Sequence, residues 1–146
     1  MNGVIVLLVA LVVAAALGGL YAWRNGRFRD RPRASASASA GAVAVGRVDL
    51  EALDASLGER ATLLQFSSAF CSPCRATRAI LSDVAALTPG VVHVEVDAES
   101  HLELVRELGI MRTPTVLVLD AQGVERRRAS GLPTKDQVLT AVADAV

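Results

Sequence analysis

The chemistry of this chain is concentrated in one tetrapeptide, Cys71-Ser72-Pro73-Cys74, which holds its only two cysteines. A disulfide framework for a small secreted domain would scatter more cysteines along the chain. Two thiols separated by two residues point instead to local chemistry, because a mixed disulfide formed on one sulfur is within reach of the other. The segment that follows, Arg75 to Leu87 (RATRAILSDVAAL), places Ile80, Val84 and Leu87 at helical spacing, so the pair lies at a helix N-terminus. Unpaired backbone N–H groups and the positive end of the helix dipole favour a thiolate there, and the thiolate is the nucleophile in disulfide exchange. Cys71 precedes the helix and is expected to be the more exposed, attacking sulfur, with Cys74 resolving. Pro73 fixes one φ angle in the first helical turn, where a missing N–H costs little. Arg75 adds a nearby positive charge. Two blander readings compete. Half of a zinc site would need further ligands, and the only histidines are His93, within a strand pattern, and His101, at a helix start. An inert disulfide across so short a loop would stabilise little through loop entropy. The spacing favours redox chemistry over both.

The elements that must position this pair are legible on either side. Val48 to Leu57 (VDLEALDASL) spaces Leu50, Leu53 and Leu57 as a short amphipathic helix stopped by Gly58. Ala61 to Ser67 (ATLLQFS) is a compact apolar strand leading to Phe70 and the cysteines. Thr88-Pro89-Gly90 ends the helix after them. Val91 to Val96 (VVHVEV) alternates and is rich in β-branched residues, as a strand does. Ser100 and Glu103 form the pattern of a capping box for a helix running through Leu108 to Gly109. Thr115 to Leu119 is a strand, Asp120 to Gly123 a turn and Val124 to Ser130 a returning strand. Thr134 with Gln137 caps a last helix to about Ala145, with apolar positions Val138, Leu139, Val142 and Val146. Strands alternating with helices and closing in a hairpin predict an α/β fold, a mixed sheet with helices on both faces.

The N-terminus is of another kind. Residues 1–3 are a short tail, and residues 4–23 (VIVLLVALVVAAALGGLYAW) carry no charge. As a helix this stretch rises about 30 Å, the hydrocarbon thickness of a bilayer. A cleaved signal would have a basic residue before the apolar run and a small-residue cleavage site after it. Met1-Asn2-Gly3 lacks the first, and Tyr21, Ala22 and Trp23 followed by arginines replace the second. The expectation is a retained single transmembrane helix with Tyr21 and Trp23 at the headgroup level. Residues 24–42 then form a basic flank and an Ala/Ser linker (ASASASAGA from Ala34 to Ala42), leading into a domain over 43–146.

Charge divides along the same line. Five arginines (24, 27, 29, 31 and 33) against Asp30 give +4 beside the apolar run, while from residue 41 onward 10 Lys+Arg face 14 Asp+Glu, a balance of −4. A mildly acidic domain is a poor nucleic-acid binder. The run Arg126-Arg127-Arg128 reads as a solvated strand or turn. By the positive-inside rule the flank, and the domain with it, stays on the cytoplasmic side, the extracytoplasmic side being the alternative.

Phe66 to Arg75 (FSSAFCSPCR), Leu108 to Gly123 (LGIMRTPTVLVLDAQG) and the tail from Gly131 to Val142 together resemble the thioredoxin family. The resemblance covers about residues 48 to 146, and its most specific part is the CxxC followed some forty residues later by Thr-Pro and a β-branched strand. It implies a thioredoxin-like sheet, Cys71 as nucleophile, Cys74 as resolver and a cis proline at Pro114 packed beside them. Thr113 then offers its backbone to a substrate peptide, and Phe70 completes the substrate-binding wall. Departures from the family pattern carry information. Phe70 replaces the usual tryptophan, and Ser72 replaces a glycine and, with Pro73, modulates the thiols. Gln65 stands where the family has a buried carboxylate, and His93 where it has that carboxylate's lysine partner. Glutamine cannot serve as a base. His93 is therefore the candidate proton acceptor if its side chain faces Cys74.

The function implied is a membrane-tethered thiol–disulfide oxidoreductase, needing no cofactor beyond the Cys71–Cys74 couple and no metal. It would act on protein or small-molecule disulfides and exchange electrons with a reductase or a membrane electron carrier. The alternatives are a non-catalytic adaptor binding a membrane partner, against which the intact cysteine pair argues, and a thiol metal carrier.

Overall fold

Strand β2 (Ala61–Ser67) is buried along its whole length and lies at the centre of the domain. Its alternate side chains enter two separate cores, as the two-residue period of a strand requires. The computed structural model describes residues 2–30, 47–50 and 53–146, so the Ala/Ser linker, Arg31, Arg33 and the first residues of the expected domain lie outside the described residues.

The remaining elements, in chain order, are α1 (Asn2–Arg24), β1 (Arg29–Asp30), α2 (Ser72–Leu87), β3 (Val91–Asp97), α3 (Leu102–Glu107), β4 (Thr115–Asp120), β5 (Glu125–Ser130) and α4 (Lys135–Ala145). The sheet runs β1-β5-β4-β2-β3. β2 and β3 are parallel, joined through α2, and every other pairing is antiparallel. The expected mixed sheet with helices on both faces is what forms. On one face Ala61, Leu63, Val91, Val116 and Val118 pack under Leu81 and Val84 of α2 and Val138, Ala141 and Val142 of α4. On the other, Leu64, Phe66, Leu117 and Leu119 meet Val48, Leu50, Leu108 and Ile110. In α4 the predicted capping box is present, Gln137 N–H donating to Thr134 Oγ1 and Thr134 N–H to Gln137 Oε1. Leu139 and Val146 are exposed, and Ala141 and Ala145 fill the core in their place.

Two local expectations fail for backbone reasons. Among the described residues of Val48–Leu57 only Leu53 is helical, in a 3-10 turn, and the expected amphipathic α-helix is not seen. Arg47 bridges Val124 and Val48 N–H donates to Gly123 O at 2.9 Å, so the start of this segment is committed to the β4–β5 turn. Leu53 and Ala55 amides then both close on Leu50 O, and Asp54 takes φ +51°, the left-handed region in which a helix does not continue. Leu50, Leu53 and Leu57 still pack on the outer core, so the apolar spacing recorded burial rather than helix. At α3 the Ser100–Glu103 box is replaced: Ser100 Oγ donates to Asp97 Oδ2 at 2.6 Å, and His101 takes the N-cap position.

Helix α1 is long and apolar enough to cross a membrane, a length and composition that a signal sequence near an N-terminus shares. Its described side chains from Gly3 to Trp23 are exposed. The residues following it belong to the domain. Gly26 N–H donates to Ser130 O at 2.8 Å, Arg112 Nη2 donates to Asn25 Oδ1 at 3.1 Å, Phe28 packs on the α2–α4 core, and β1 pairs with Arg127 and Arg128 of β5. Gly26 has φ +75°, and a Cβ there would collide with the Leu132 carbonyl. Gly26→Ala is therefore expected to lower stability by about 1–3 kcal/mol through backbone strain and displaced contacts. Denaturant midpoints of the full chain check this, and an unchanged midpoint would show that residues 25–30 add nothing to the sheet.

Candidate active site

The site forms where β2 ends and α2 begins. After Ser67 the chain turns through four residues, with Cys71 N–H donating to Ser68 O at 3.2 Å. Cys71 then serves as the N-cap of α2, and Pro73 sits in the first turn as expected. Cys71 and Cys74 are joined as a disulfide, their Cα atoms 5.3 Å apart. Cys71 is half-buried and Cys74 is 3% exposed, so solvent reaches the first cysteine more readily than the second. No side chain caps the helix at Cys71. The orphan amide groups and the dipole are left to act on sulfur.

The loop before β4 lies beside the turn that leads to the pair, since Thr115 pairs with Phe66 at the end of β2. The Thr113–Pro114 peptide is cis. Ser68 Oγ and Thr113 Oγ1 lie 3.1 Å apart, tying the two loops together. Thr115 Oγ1 donates to Arg112 O at 2.8 Å, and Gly131 N–H donates to Pro114 O at 2.7 Å, which fixes the proline loop against the end of β5. Phe70 is 97% exposed and walls the approach to Cys71 rather than entering the core. Ser72 and Arg75 are exposed beside the cysteines. An open cleft of about 460 Å³ runs from Cys71 and Cys74 along Ser67 and Ser68 to Arg75 and Arg78.

Beneath the helix lies a polar network. The sheet face under α2 is apolar at one end, with Ala61, Leu63 and Val91, and polar toward the cysteines, with Gln65, Ser67, His93 and Glu95. Gln65 is fully buried; its Nε2 donates to Cys74 O at 3.0 Å and to Ser67 Oγ at 2.8 Å. Ser67 Oγ donates to Glu95 Oε1 at 2.6 Å. Glu95 is held by a two-pronged pairing with Arg78 of α2, at 2.5 and 2.8 Å. His93 Nε2 lies 3.2 Å from Gln65 Oε1, and its Nδ1 3.1 Å from Ser82 Oγ. His93 thus meets the cysteines through Gln65, not directly. Among the described residues every buried side-chain N or O in this region has a partner.

Sequence reasoning missed Glu95, Ser67 and Arg78. The signal was available as polar residues two apart on adjacent strands, Gln65 and Ser67 beside His93 and Glu95, which the strand period places on one face. Among the described residues no three His, Cys, Asp or Glu side chains converge as a metal site would require.

Burial pushes the His93 imidazole below its usual range; the Glu95 carboxylate opposes this and the Arg78 guanidinium adds to it. For Glu95, burial alone would raise the carboxyl, but hydrogen bonds from Arg78 and Ser67 and the charges of Arg78 and His93 outweigh it, and the net shift is downward. His93 is therefore the neutral form at neutral pH and Glu95 the charged one.

A parallel β-α-β unit carrying a CxxC disulfide at the helix N-terminus, with a cis proline in the neighbouring loop before β4, defines a thiol–disulfide oxidoreductase of thioredoxin type. Comparison with known proteins agrees: the family described as "Thioredoxin-like domain" matches residues 50–145, and the chain belongs to it. Human thioredoxin domain-containing protein 2 is 38% identical over 73 residues, half of this chain but only 13% of that much longer protein. The thioredoxin of Chlamydia trachomatis is 29% identical over 92 residues, covering 63% of this chain and 89% of its own. Among solved structures, thioredoxin f from spinach chloroplast superimposes with a TM-score of 0.53 at 25% identity, covering 60% of this chain and 78% of that one. A variant thioredoxin from Halobacterium salinarum gives a TM-score of 0.59 at 18% identity, covering 69% and 88%, a likeness of fold alone.

The His93 shift sets a pH dependence. Its folded-state pKa lies below the unfolded value of about 6.5, so the unfolded chain takes up the proton more readily. The stability contributed by neutral His93 is complete above that unfolded value and is lost as pH falls through the folded one. Between about pH 7.5 and about pH 5.5 the wild-type chain should lose more stability than His93→Gln, whose amide can still donate and accept. Urea midpoints at the two pH values measure this, and equal losses would remove His93 as the cause.

Proposed function

We propose that this oxidoreductase is a single-pass membrane protein that reduces protein disulfides close to the bilayer. The observation that carries the redox half is the exposure difference within the couple, an accessible Cys71 at the α2 N-terminus and a buried Cys74 behind it. In the reduced enzyme the Cys71 thiolate attacks one sulfur of the substrate disulfide. A Cys71–substrate S–S bond forms, the substrate S–S bond breaks, and the departing thiolate takes a proton. Cys74 then loses its proton and attacks Cys71 Sγ, releasing the second substrate thiol and leaving the disulfide seen in the structure. Two electrons and two protons pass from the dithiol to the substrate, and this reading assigns no further cofactor. Thr113 and Pro114, in the loop tied to the turn before the couple by the Ser68–Thr113 contact, hold the substrate backbone, and Phe70 supports its side chains. A dithiol reductase, or an electron carrier within the membrane, returns the couple to its reduced state. Tethering raises the effective concentration of a membrane-bound partner.

His93 acts on Cys74 through Gln65 as a positioning residue. Its Nδ1 is anchored by Ser82 Oγ and its Nε2 meets Gln65 Oε1, which holds the amide so that Gln65 Nε2 stays on the Cys74 carbonyl. His93→Gln therefore also reports on this role by whether it moves the pH–rate profile.

The trapping experiment is direct. Cys74→Ser should accumulate a mixed disulfide with substrate on Cys71, visible as a reductant-sensitive adduct, whereas Cys71→Ser should form none. Adducts of equal yield from the two single variants would overturn the assignment of nucleophile and resolver.

The membrane half rests on the apolar length of α1 and on the five arginines after it, which by the positive-inside rule support a cytoplasmic placement of the domain. Because the chain has only two cysteines, a membrane-impermeant maleimide reads the topology in reduced intact cells. The expected result is labelling only after lysis; labelling of intact cells would place the domain outside.

A further inference from the structure

The stretch between α1 and the redox site leaves little slack. Only Arg24 and Asn25 lie between Trp23 and Gly26, three residue steps with a reach of at most about 10 Å. Gly26 is bonded to Ser130, and Arg112 Nη2 donates to both Asn25 Oδ1 and Ser130 O, at 3.1 and 2.8 Å. Gly131, next along, bonds to the carbonyl of Pro114 and abuts Asn25. The cis-proline loop is thus linked to the end of α1 through a short series of hydrogen bonds.

Two apolar side chains on this rim are more exposed than any other large apolar residue described: Phe70 at 97% and Met111 at 91%. Phe70 adjoins Cys71, and Met111 adjoins Arg112, the residue that grips Asn25. The Ser68–Thr113 contact draws their two loops together. A single exposed apolar residue is ordinary. Two at near-complete exposure, flanking the reactive sulfur and the residue fastened to the helix end, call for a partner. Exposed arginines flank both side chains: Arg75 lines the cleft with Phe70, Arg112 is the chain neighbour of Met111, and Arg27, over the Trp23 ring at 4.8 Å, follows Gly26 at the helix end. Apolar side chains flanked by arginines match a layer of anionic headgroups over acyl chains.

We propose that the active-site face, with Phe70 and Met111 foremost, docks on the headgroup layer of the bilayer that α1 crosses. The disulfides it meets are then those lying at the membrane surface. The docking rests on the reading of α1 as a membrane span.

The test uses the full chain in phosphatidylcholine–phosphatidylglycerol vesicles. In a Cys71→Ser, Cys74→Ser background, single cysteines are introduced by Phe70→Cys, Met111→Cys, Val13→Cys and Glu59→Cys and labelled with an environment-sensitive fluorophore. Glu59 is exposed before the start of β2, at the end of the strand remote from the cysteines. Headgroup-attached nitroxide lipid is expected to remove most of the fluorescence at positions 70 and 111 and little at 59, while acyl-chain nitroxide quenches position 13. If position 13 is quenched but 70 and 111 resemble 59, the docking is overturned while the tether stands, and the apolar pair is left to a protein substrate. If position 13 stays unquenched, the membrane reading falls and the docking with it. The unsubstituted chain gives a parallel readout. Met111 should be oxidised to the sulfoxide by an aqueous oxidant more slowly in vesicles than in detergent micelles, and equal rates count against docking.

Discussion

Everything at the redox site follows from how β2 stops. A strand buried on both faces cannot bend gradually, because each of its side chains is locked into one core or the other. It ends at Ser67, and the chain must reverse into α2 within four residues while Ser68, Cys71 and Cys74 amide and carbonyl groups are paired. Cys71 falls at the one position where the backbone is still extended and the helix dipole has already begun. The reactivity of the couple is therefore a property of a strand–helix junction imposed by the core, and the cysteines only occupy it.

The second constraint is the burial of polar groups below that junction. A buried amide is tolerated when its donors and acceptors are used, and Gln65 spends its own on Cys74, Ser67 and His93. The charge missing from Gln65 reappears one strand away at Glu95, near enough to the surface to be matched by Arg78. A carboxylate at the domain edge with a guanidinium partner suffers less desolvation than one sealed under the helix. The network keeps the Cys74 carbonyl bonded without placing a second ionisable group against the thiol.

Much of this was legible beforehand, and the reasons are particular. β2, β3 and β4 each combine β-branched or apolar residues at strand length with clear stops, and α4 carries a capping box that formed as read. The cysteines and Pro73 could be placed because their types and spacing leave few alternatives, whereas the cis Thr113-Pro114 peptide was implied by the resemblance to the thioredoxin family. The segment around Leu50 misled because leucines three and four apart are compatible with any backbone that buries them, and here a bridge to Val124 and a left-handed Asp54 decided the conformation. The polar face of Gln65, Ser67, His93 and Glu95 could be read from the strand period, but the pairing of Glu95 with Arg78 could not, because a strand and a helix must first be laid over one another before their charges can be seen to meet. The union of residues 25–30 with β5 was hidden for the same reason: two residues of strand give no periodic signal.

That union has a further effect. β5 would otherwise be the outermost strand of its sheet, with unpaired backbone groups open to a strand from another molecule. β1 covers Arg127 and Arg128. Next to that pairing Arg126, held by Asp120, sets charge where a flat apolar edge would invite stacking, and Arg127 and Arg128 are themselves held by Asp144 and Glu125. The residues that fasten the domain to its helix thus also guard it against self-association. A proteolytic cut on the helix side of Gly26 would put that guard at risk, leaving a domain prone to pair edge to edge.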